Sequence, residues 1–359
     1  MIQNERGVAL IVTLGVVAIL LVVAMQIANL TGNAAIQTIA KNEQVAVEEM
    51  AMSGIHLAML ILAQDAAAND TDSLQEIWAD PDKIQQAVKD LGFEFGTLEL
   101  VISDELGKIQ LNALLKRFPG NEMNMDQQVL FERFLHLAAA KEKPDHAGEP
   151  VEILNAVKDW LDSNDDDAVT GLSGAESNYY QSLDPPRRCA NGPFDHVEEL
   201  LNVKGIVKGA LTDKDNSPLD FGKVFTVYGL GGEKKEQGRY GYPGKININT
   251  APLPVIAALL PEGREHQAKD LAEFRVEKPE QDQNYTHILE KGWCEKVIEF
   301  SEKEKTAFDR KIRYSSDIFR AACFAGKNSV QVHLWAVIKR EQQKESKKWI
   351  CRILQLEKV

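Results

Sequence analysis

Between Gly7 and Lys41 the chain has no charged residue. That absence excludes a solvated surface segment, since a helix at a protein surface carries polar and charged side chains on its outer face. The four cysteines, Cys189, Cys294, Cys323 and Cys351, contain no Cys-x-x-Cys pair, which argues against a zinc ribbon or a thioredoxin-like centre. Their even number allows two disulfides in an oxidising compartment, and Cys323 and Cys351 both fall in predicted strands; buried free thiols satisfy the sequence equally. No Gly-x-Ser-x-Gly, His-Glu-x-x-His or phosphate-loop motif is present, and the seven histidines, among them His136, His146, His196 and His287, lack ligand spacing. Positive charge is in deficit as well: 41 basic against 54 acidic side chains give a net charge of −13, a balance that argues against nucleic acid as partner. What remains for catalysis is paired carboxylates, Asp104 with Glu105 or the acidic loop below, as in an anchored periplasmic hydrolase. Adjacent carboxylates at turns are common, so the expectation is a protein that catalyses nothing.

The uncharged stretch is apolar over residues 8–27, directly after Glu5-Arg6-Gly7. At about 1.5 Å per helical residue it spans roughly 30 Å, the thickness of a bilayer's hydrocarbon core. The core is too long for a cleaved secretory signal. Arg6 is its one basic flank, which by the positive-inside rule keeps the N-terminus cytoplasmic. Beyond it, residues 26–62 continue without proline, with Val45, Met52, Ile55 and Met59 near helical spacing. A single helix of some fifty residues follows, amphipathic in its second half.

A chain of 359 residues is long enough for two folded units past such an anchor. The spacing predicts a helix over residues 73–91, a strand over 93–102 and a turn at residues 104–107, with Asn112 as a helix N-cap. Short helices are expected over 113–118, 126–143, 149–161, 197–203, 252–260 and 266–275, with Thr250 capping the fifth. Three strands close the chain, over 317–325, 330–338 and 349–356, the last two joined by a charged hairpin loop.

The densest chemistry lies in residues 159–180, where Asp162, Asn164, Asp165, Asp166 and Asp167 crowd together. Hard oxygen ligands at this density suit Ca²⁺, which accepts six to eight of them. Asp162, Asn164 and Asp166 have the spacing that opens an EF-hand, but the sixth position is Asp167 instead of glycine and the twelfth is Ser173 instead of glutamate. An EF-hand is therefore excluded. A solvated acidic loop is the alternative.

Several motifs carry a resemblance. A short polar leader ending in Arg6-Gly7, followed at once by the apolar run, resembles the processing site of type IV prepilins and type II secretion pseudopilins. This implies cleavage after Gly7 by a membrane aspartyl protease, with Val8 as the new, N-methylated terminus. Most members carry glutamate as the fifth mature residue, and here that position is Val12. The departure is similar to the general secretion pathway protein K family. Asp159-Trp-Leu-Asp162, Gly174-Ala-Glu176, Tyr179-Tyr180, Leu183-Asp-Pro-Pro186, residues 191–206 with Phe194, and Asn247-Ile-Asn-Thr-Ala-Pro252 resemble that family too.

The resemblance implies an α+β fold: a long N-terminal transmembrane helix, a pseudopilin αβ head with an antiparallel sheet, and a large inserted all-α domain. Mapped on this sequence, that gives a leader over 1–7, the helix over 8–62, the first part of the head over 63–111, the insertion over 112–279 and the rest of the head over 280–359. It implies a minor pseudopilin at the tip of a periplasmic pseudopilus, anchored by one pass in the inner membrane, initiating and capping assembly. Its expected partners are other minor pseudopilins, the major pseudopilin, the inner-membrane secretion platform and the prepilin peptidase, with no nucleic acid. The family binds calcium in the acidic loop, which makes Asp162, Asp165, Asp166, Asp167 and Glu176 the candidate ligands. Residues 191–206 and 245–252 also look like helix-hairpin-helix modules, so an anchored DNA-uptake protein is the competing reading; Glu198, Glu199, Asp213 and Asp215 weaken it.

Overall fold

The computed structural model describes residues 5–93, 96–164, 169–213, 215–229, 238–279 and 284–358. Its first element, α1 (Glu5–Ala68), is one continuous helix of 64 residues, about 95 Å long at ~1.5 Å per residue. The two halves meet different surroundings. The large apolar side chains from Val8 to Leu30, and Ile39, are exposed, whereas Val47, Met50, Ala51, Ile55, Ala58 and Leu62 are buried along one stripe at helical spacing.

The helix expected over 73–91 is broken. A 3₁₀ turn (Ile77–Ala79) precedes α2 (Pro81–Asp90), and the Asp80 carboxylate accepts from the backbone N–H groups of Asp82 and Lys83 with Pro81 in the first turn. The proline signal is a helix start here, not an interior residue. Next come β1 (Thr97–Asp104) and β2 (Ile109–Gln110). Then follow α3 (Met125–Ala138), α4 (Pro150–Leu161), α5 (Ser177–Gln181), α6 (Phe221–Val224), β3 (Phe225–Thr226) and β4 (Ile246–Asn247). The chain continues through α7 (Leu253–Leu259), α8 (Ala268–Phe274), α9 (Glu302–Asp309) and β5 (Ile312–Arg313). It ends in β6 (Ile318–Lys327), β7 (Val330–Gln342) and β8 (Trp349–Lys358).

Four strands form an antiparallel sheet in the order β1-β6-β7-β8. Alternation sets its faces: Leu98, Leu100 and Ile102 turn inward while Glu99 and Val101 are exposed. The inner face packs on the second half of α1 with Trp78, Ile84 and Val88 to make the head's core. Cys323 opposes Leu334, and Cys351 opposes Arg340. β7 therefore separates the two cysteines, and they are not neighbours. All four cysteines are free thiols, three of them buried.

A second core runs from Ile109 to Ile312 around Phe131, Phe134, Trp160, Tyr180 and Phe225. It is larger than the insertion expected over 112–279, because Trp293, Cys294, Ile298, Phe308 and Ile312 join it. Charged residues fill the gaps between these apolar anchors, so no period announced them. The helix expected over 113–118 is a 3₁₀ turn (Leu111–Leu114), and the one over 197–203 is a 3₁₀ helix (Val197–Asn202). The fold is thus α+β, a pilin-like head with a mostly helical body inserted between β1 and β6.

Candidate cation site and the junction of the two bodies

The capping box between Glu149 and Glu152, with Pro150 in the first turn, starts α4. The helix buries Ile153, Leu154, Val157, Trp160 and Leu161. Its last turn delivers Asp159, and Asp162 stands at its C-cap. The chain then returns so that Glu176, the N-cap of α5, meets them. Asp159, Asp162 and Glu176 are all buried, each with a carboxylate oxygen within 4.8 Å of the others. Two of these are expected ligands. Asp165, Asp166 and Asp167 lie outside the described residues.

Asp159 was not among the expected ligands, although its i,i+3 spacing from Asp162 on a helix signals a shared face. Its carboxylate organises the returning loop, accepting from the N–H groups of Thr170 at 3.1 Å and Ala175 at 2.8 Å. The approach is close enough that a Cβ at Gly174 would lie 2.0 Å from Asp159 Oδ2. Lys204 Nζ steadies the same loop by donating to the carbonyls of Ser173 and Gly174. Lys158 Nζ donates to Thr170 Oγ1 at 2.6 Å and stands 3.6 Å from Asp162 Oδ2. The Asp162 oxygens are fully buried, with the Lys158 ammonium and the Asn164 backbone N–H as the donors beside them. Burial pushes the Asp162 carboxyl up to about 6, with Lys158 pulling the other way. Three buried carboxylates against one ammonium form a donor set suited to a hard divalent cation.

The acidic pair that closes β1 has a different role. Asp104 is buried; its Oδ2 accepts from Asn247 Nδ2 at 2.9 Å, Thr250 Oγ1 at 2.6 Å and Ser316 Oγ at 2.6 Å, and its Oδ1 from the Leu106 N–H. Burial raises its pKa, although all four hydrogen bonds act against the shift. Glu105 is enclosed by Lys108, Arg320 and Thr226, and there the two cations outweigh burial and hold its pKa down. Both carboxylates are buried and tied into hydrogen bonds and ion pairs within the fold.

The Asn-x-Asn-Thr-Ala-Pro motif supplies the other half of this junction. Asn247 donates to the Asp72 carbonyl as well as to Asp104, and Asn249 accepts from Trp293 Nε1 at 2.7 Å. Thr250 is not the cap of α7, as expected; Pro252 occupies that position and the Thr250 hydroxyl turns to Asp104. Asn112 likewise caps no helix. It sits inside the 3₁₀ turn, where its side chain accepts from the Phe194 N–H and donates to the Phe194 carbonyl. Phe194 is buried and stacks on Trp160, which ties the motif at residues 191–206 to α4. At the far end of the molecule the backbone is already helical through Gly7, and Val8 and Val12 project outward from α1.

Residues 107–213 match the family model described as type II secretion system (T2SS), protein K. Type II secretion system protein K of Pectobacterium carotovorum is 27% identical over 210 residues, and that of Klebsiella pneumoniae 25% identical over 209. An Escherichia coli K12 protein provisionally given the same description is 27% identical over 207 residues. Each alignment covers 57% of this chain and 59% of the relative, so the chain spans about three fifths of the length of these proteins. In the crystal structure of the GspK-GspI-GspJ complex from the enterotoxigenic Escherichia coli type 2 secretion system, one chain superposes with a TM-score of 0.58 at 16% identity. That superposition covers 90% of this chain and 99% of the other. Over the start of its inserted body the chain is thus similar to type II secretion system protein K, and it shares the fold of one chain of the GspK-GspI-GspJ complex.

Proposed function

We propose that this chain is a minor pseudopilin at the tip of a type II secretion pseudopilus, where it initiates and caps the filament with other minor pseudopilins. The supporting observation is α1. One unbroken helix carries an exposed apolar half followed by a half buried under the head. Such a helix serves first as a membrane anchor and then, once extracted, as a filament strand packed on neighbouring helices. In this reading the N-terminus begins in the cytoplasm and both folded bodies lie in the periplasm. The prepilin peptidase cuts after Gly7 and exposes Val8, and the major pseudopilin and the inner-membrane platform continue assembly below. Val12 favours the tip, because a buried carboxylate there would have to pair with a subunit above. The bulk of the inserted body agrees, since a filament shaft has no room for it.

The acidic loop, in the same reading, holds a structural Ca²⁺ through Asp159, Asp162 and Glu176, with Asp165, Asp166 and Asp167 as further candidates. The deep burial of Asp162 beside two further buried carboxylates supports it.

Processing gives the direct test. In cells with the prepilin peptidase the wild-type chain should run as a shortened band on an immunoblot, and Gly7→Val should leave the precursor uncut. Equal bands for both would make α1 an ordinary anchor and remove the pseudopilin assignment.

A further inference from the structure

A cation stands against the acidic loop. Lys158 lies one helical turn before Asp162, its Nζ 3.6 Å from Asp162 Oδ2 and 2.6 Å from Thr170 Oγ1. Lys204, the other lysine at the loop, has its Nζ on the carbonyls of Ser173 and Gly174 and 4.9 Å from the Tyr179 ring centroid, so its charge is spent on the backbone and an aromatic face. Lys158 is thus a cation in contact with the Asp162 carboxylate of the cluster.

We propose that Lys158 is a resident counter-cation that a divalent ion must displace, and that it thereby sets the affinity of the acidic loop. This rests on the cation reading above. At 3.6 Å the ammonium pairs with Asp162 Oδ2 chiefly by charge, and so stands beside an oxygen that a divalent ion would ligate. Thr170 keeps the ammonium at the rim and belongs to the loop that Asp159 gathers, so Lys158 closes the loop when no ion is bound. A divalent ion would close the same loop by ligation, with twice the charge. The two states compete for Asp162. Removing the lysine must therefore act in opposite directions on them: the ion-free protein loses the partner of a buried carboxylate and becomes less stable, while the ion meets no competitor and binds more tightly.

The test is calorimetric titration of the detergent-solubilised full chain with CaCl₂, paired with thermal unfolding in a chelator. Lys158→Met should bind Ca²⁺ about tenfold more tightly than wild type, intermediate between an exposed and a fully buried charge pair, and should melt at a lower temperature in the chelator. Thr170→Val, which keeps the lysine but frees it from its anchor, should tighten binding by a smaller factor and covers the case in which the methionine variant does not fold. Unchanged or weaker Ca²⁺ binding by both variants, with the wild type binding, would make Lys158 an ordinary structural residue. Absence of binding by wild type and variants alike would instead overturn the cation reading on which the proposal stands.

Discussion

Glu76 and Asp72 are acids placed where ionisation is costly. Their carboxylates and that of Asp65 offer oxygens within 4.8 Å of one another, and Arg340 spans only two of them, pairing with Asp65 at 3.0 Å and with Asp72. Among the described residues Glu76 has no such cation and accepts instead from the Ser73 N–H and Trp78 Nε1. Burial, reinforced by the neighbouring carboxylates, pushes Glu76 from 4.5 up to about 8, and burial lifts Asp72 from 3.8 to about 7 against the pull of Arg340. The folded state therefore keeps protons that the unfolded chain has already released. Stability contributed by these groups is complete below about pH 4 and is lost as pH rises towards 8. Glu76→Gln should remove its share: melting temperatures of wild type should fall between pH 5 and pH 8 more steeply than those of the variant. Parallel curves would show that Glu76 does not titrate in that window.

At the scale of elements, the packing of α1 on the sheet depends on Gly54. A Cβ there would lie 2.7 Å from Cys323 Sγ and 3.3 Å from a Leu98 methyl, so the helix rests closer to β6 and β1 than any side chain allows. Alanine at this position gains about 1 kcal/mol of helix propensity but overpacks the core at roughly 1–3 kcal/mol, and the second effect should win. Gly54→Ala should lower the denaturation midpoint, and adding Cys323→Ala should restore much of it by removing the obstructing sulfur. This contact was not legible in the sequence, because a glycine inside a helical pattern does not name what it approaches. Long periodic elements were legible: α1, α3, α4 and the three C-terminal strands lie within a few residues of expectation, since each carries its own apolar period. Elements without a period were not. Residues 293–313, including α9 and β5, join the inserted body through Trp293, Phe308 and Ile312, single anchors in charged surroundings. The cation site was half legible. Composition pointed to the loop around Asp162 and Glu176, but the place of Asp159 among the carboxylates is fixed by the fold of residues 169–176 back onto α4.

The whole molecule is two bodies that meet at a buried carboxylate. Asp104 closes β1 of the head, Asn247 and Thr250 belong to the inserted body, and Ser316 leads into β6. Asn247 also reaches the Asp72 carbonyl and Arg340 reaches the Asp72 carboxylate, so the loop after α1, the sheet and the insertion are joined by one hydrogen-bond network. At Asn247 and Thr250 the Asn-x-Asn-Thr-Ala-Pro motif thus docks the insertion instead of capping a helix, while Asn249 holds Trp293 within the inserted body. Without the acceptor, the Leu106 N–H and the Ser316 hydroxyl lose their partner in a dry site while Asn247 and Thr250 keep only their weaker second acceptors, and each buried unsatisfied group costs about 1–3 kcal/mol. Asp104→Ala should therefore destabilise by several kcal/mol, on the order of 3 or more. Asp104→Asn should cost less, because its one remaining oxygen still accepts and the two hydroxyls can turn to accept from its amide. Limited proteolysis distinguishes a failed junction from general unfolding: Asp104→Ala should release the inserted body near residues 107 and 315 under conditions where wild type resists. Cleavage spread evenly through both bodies would mean that Asp104 stabilises the head alone.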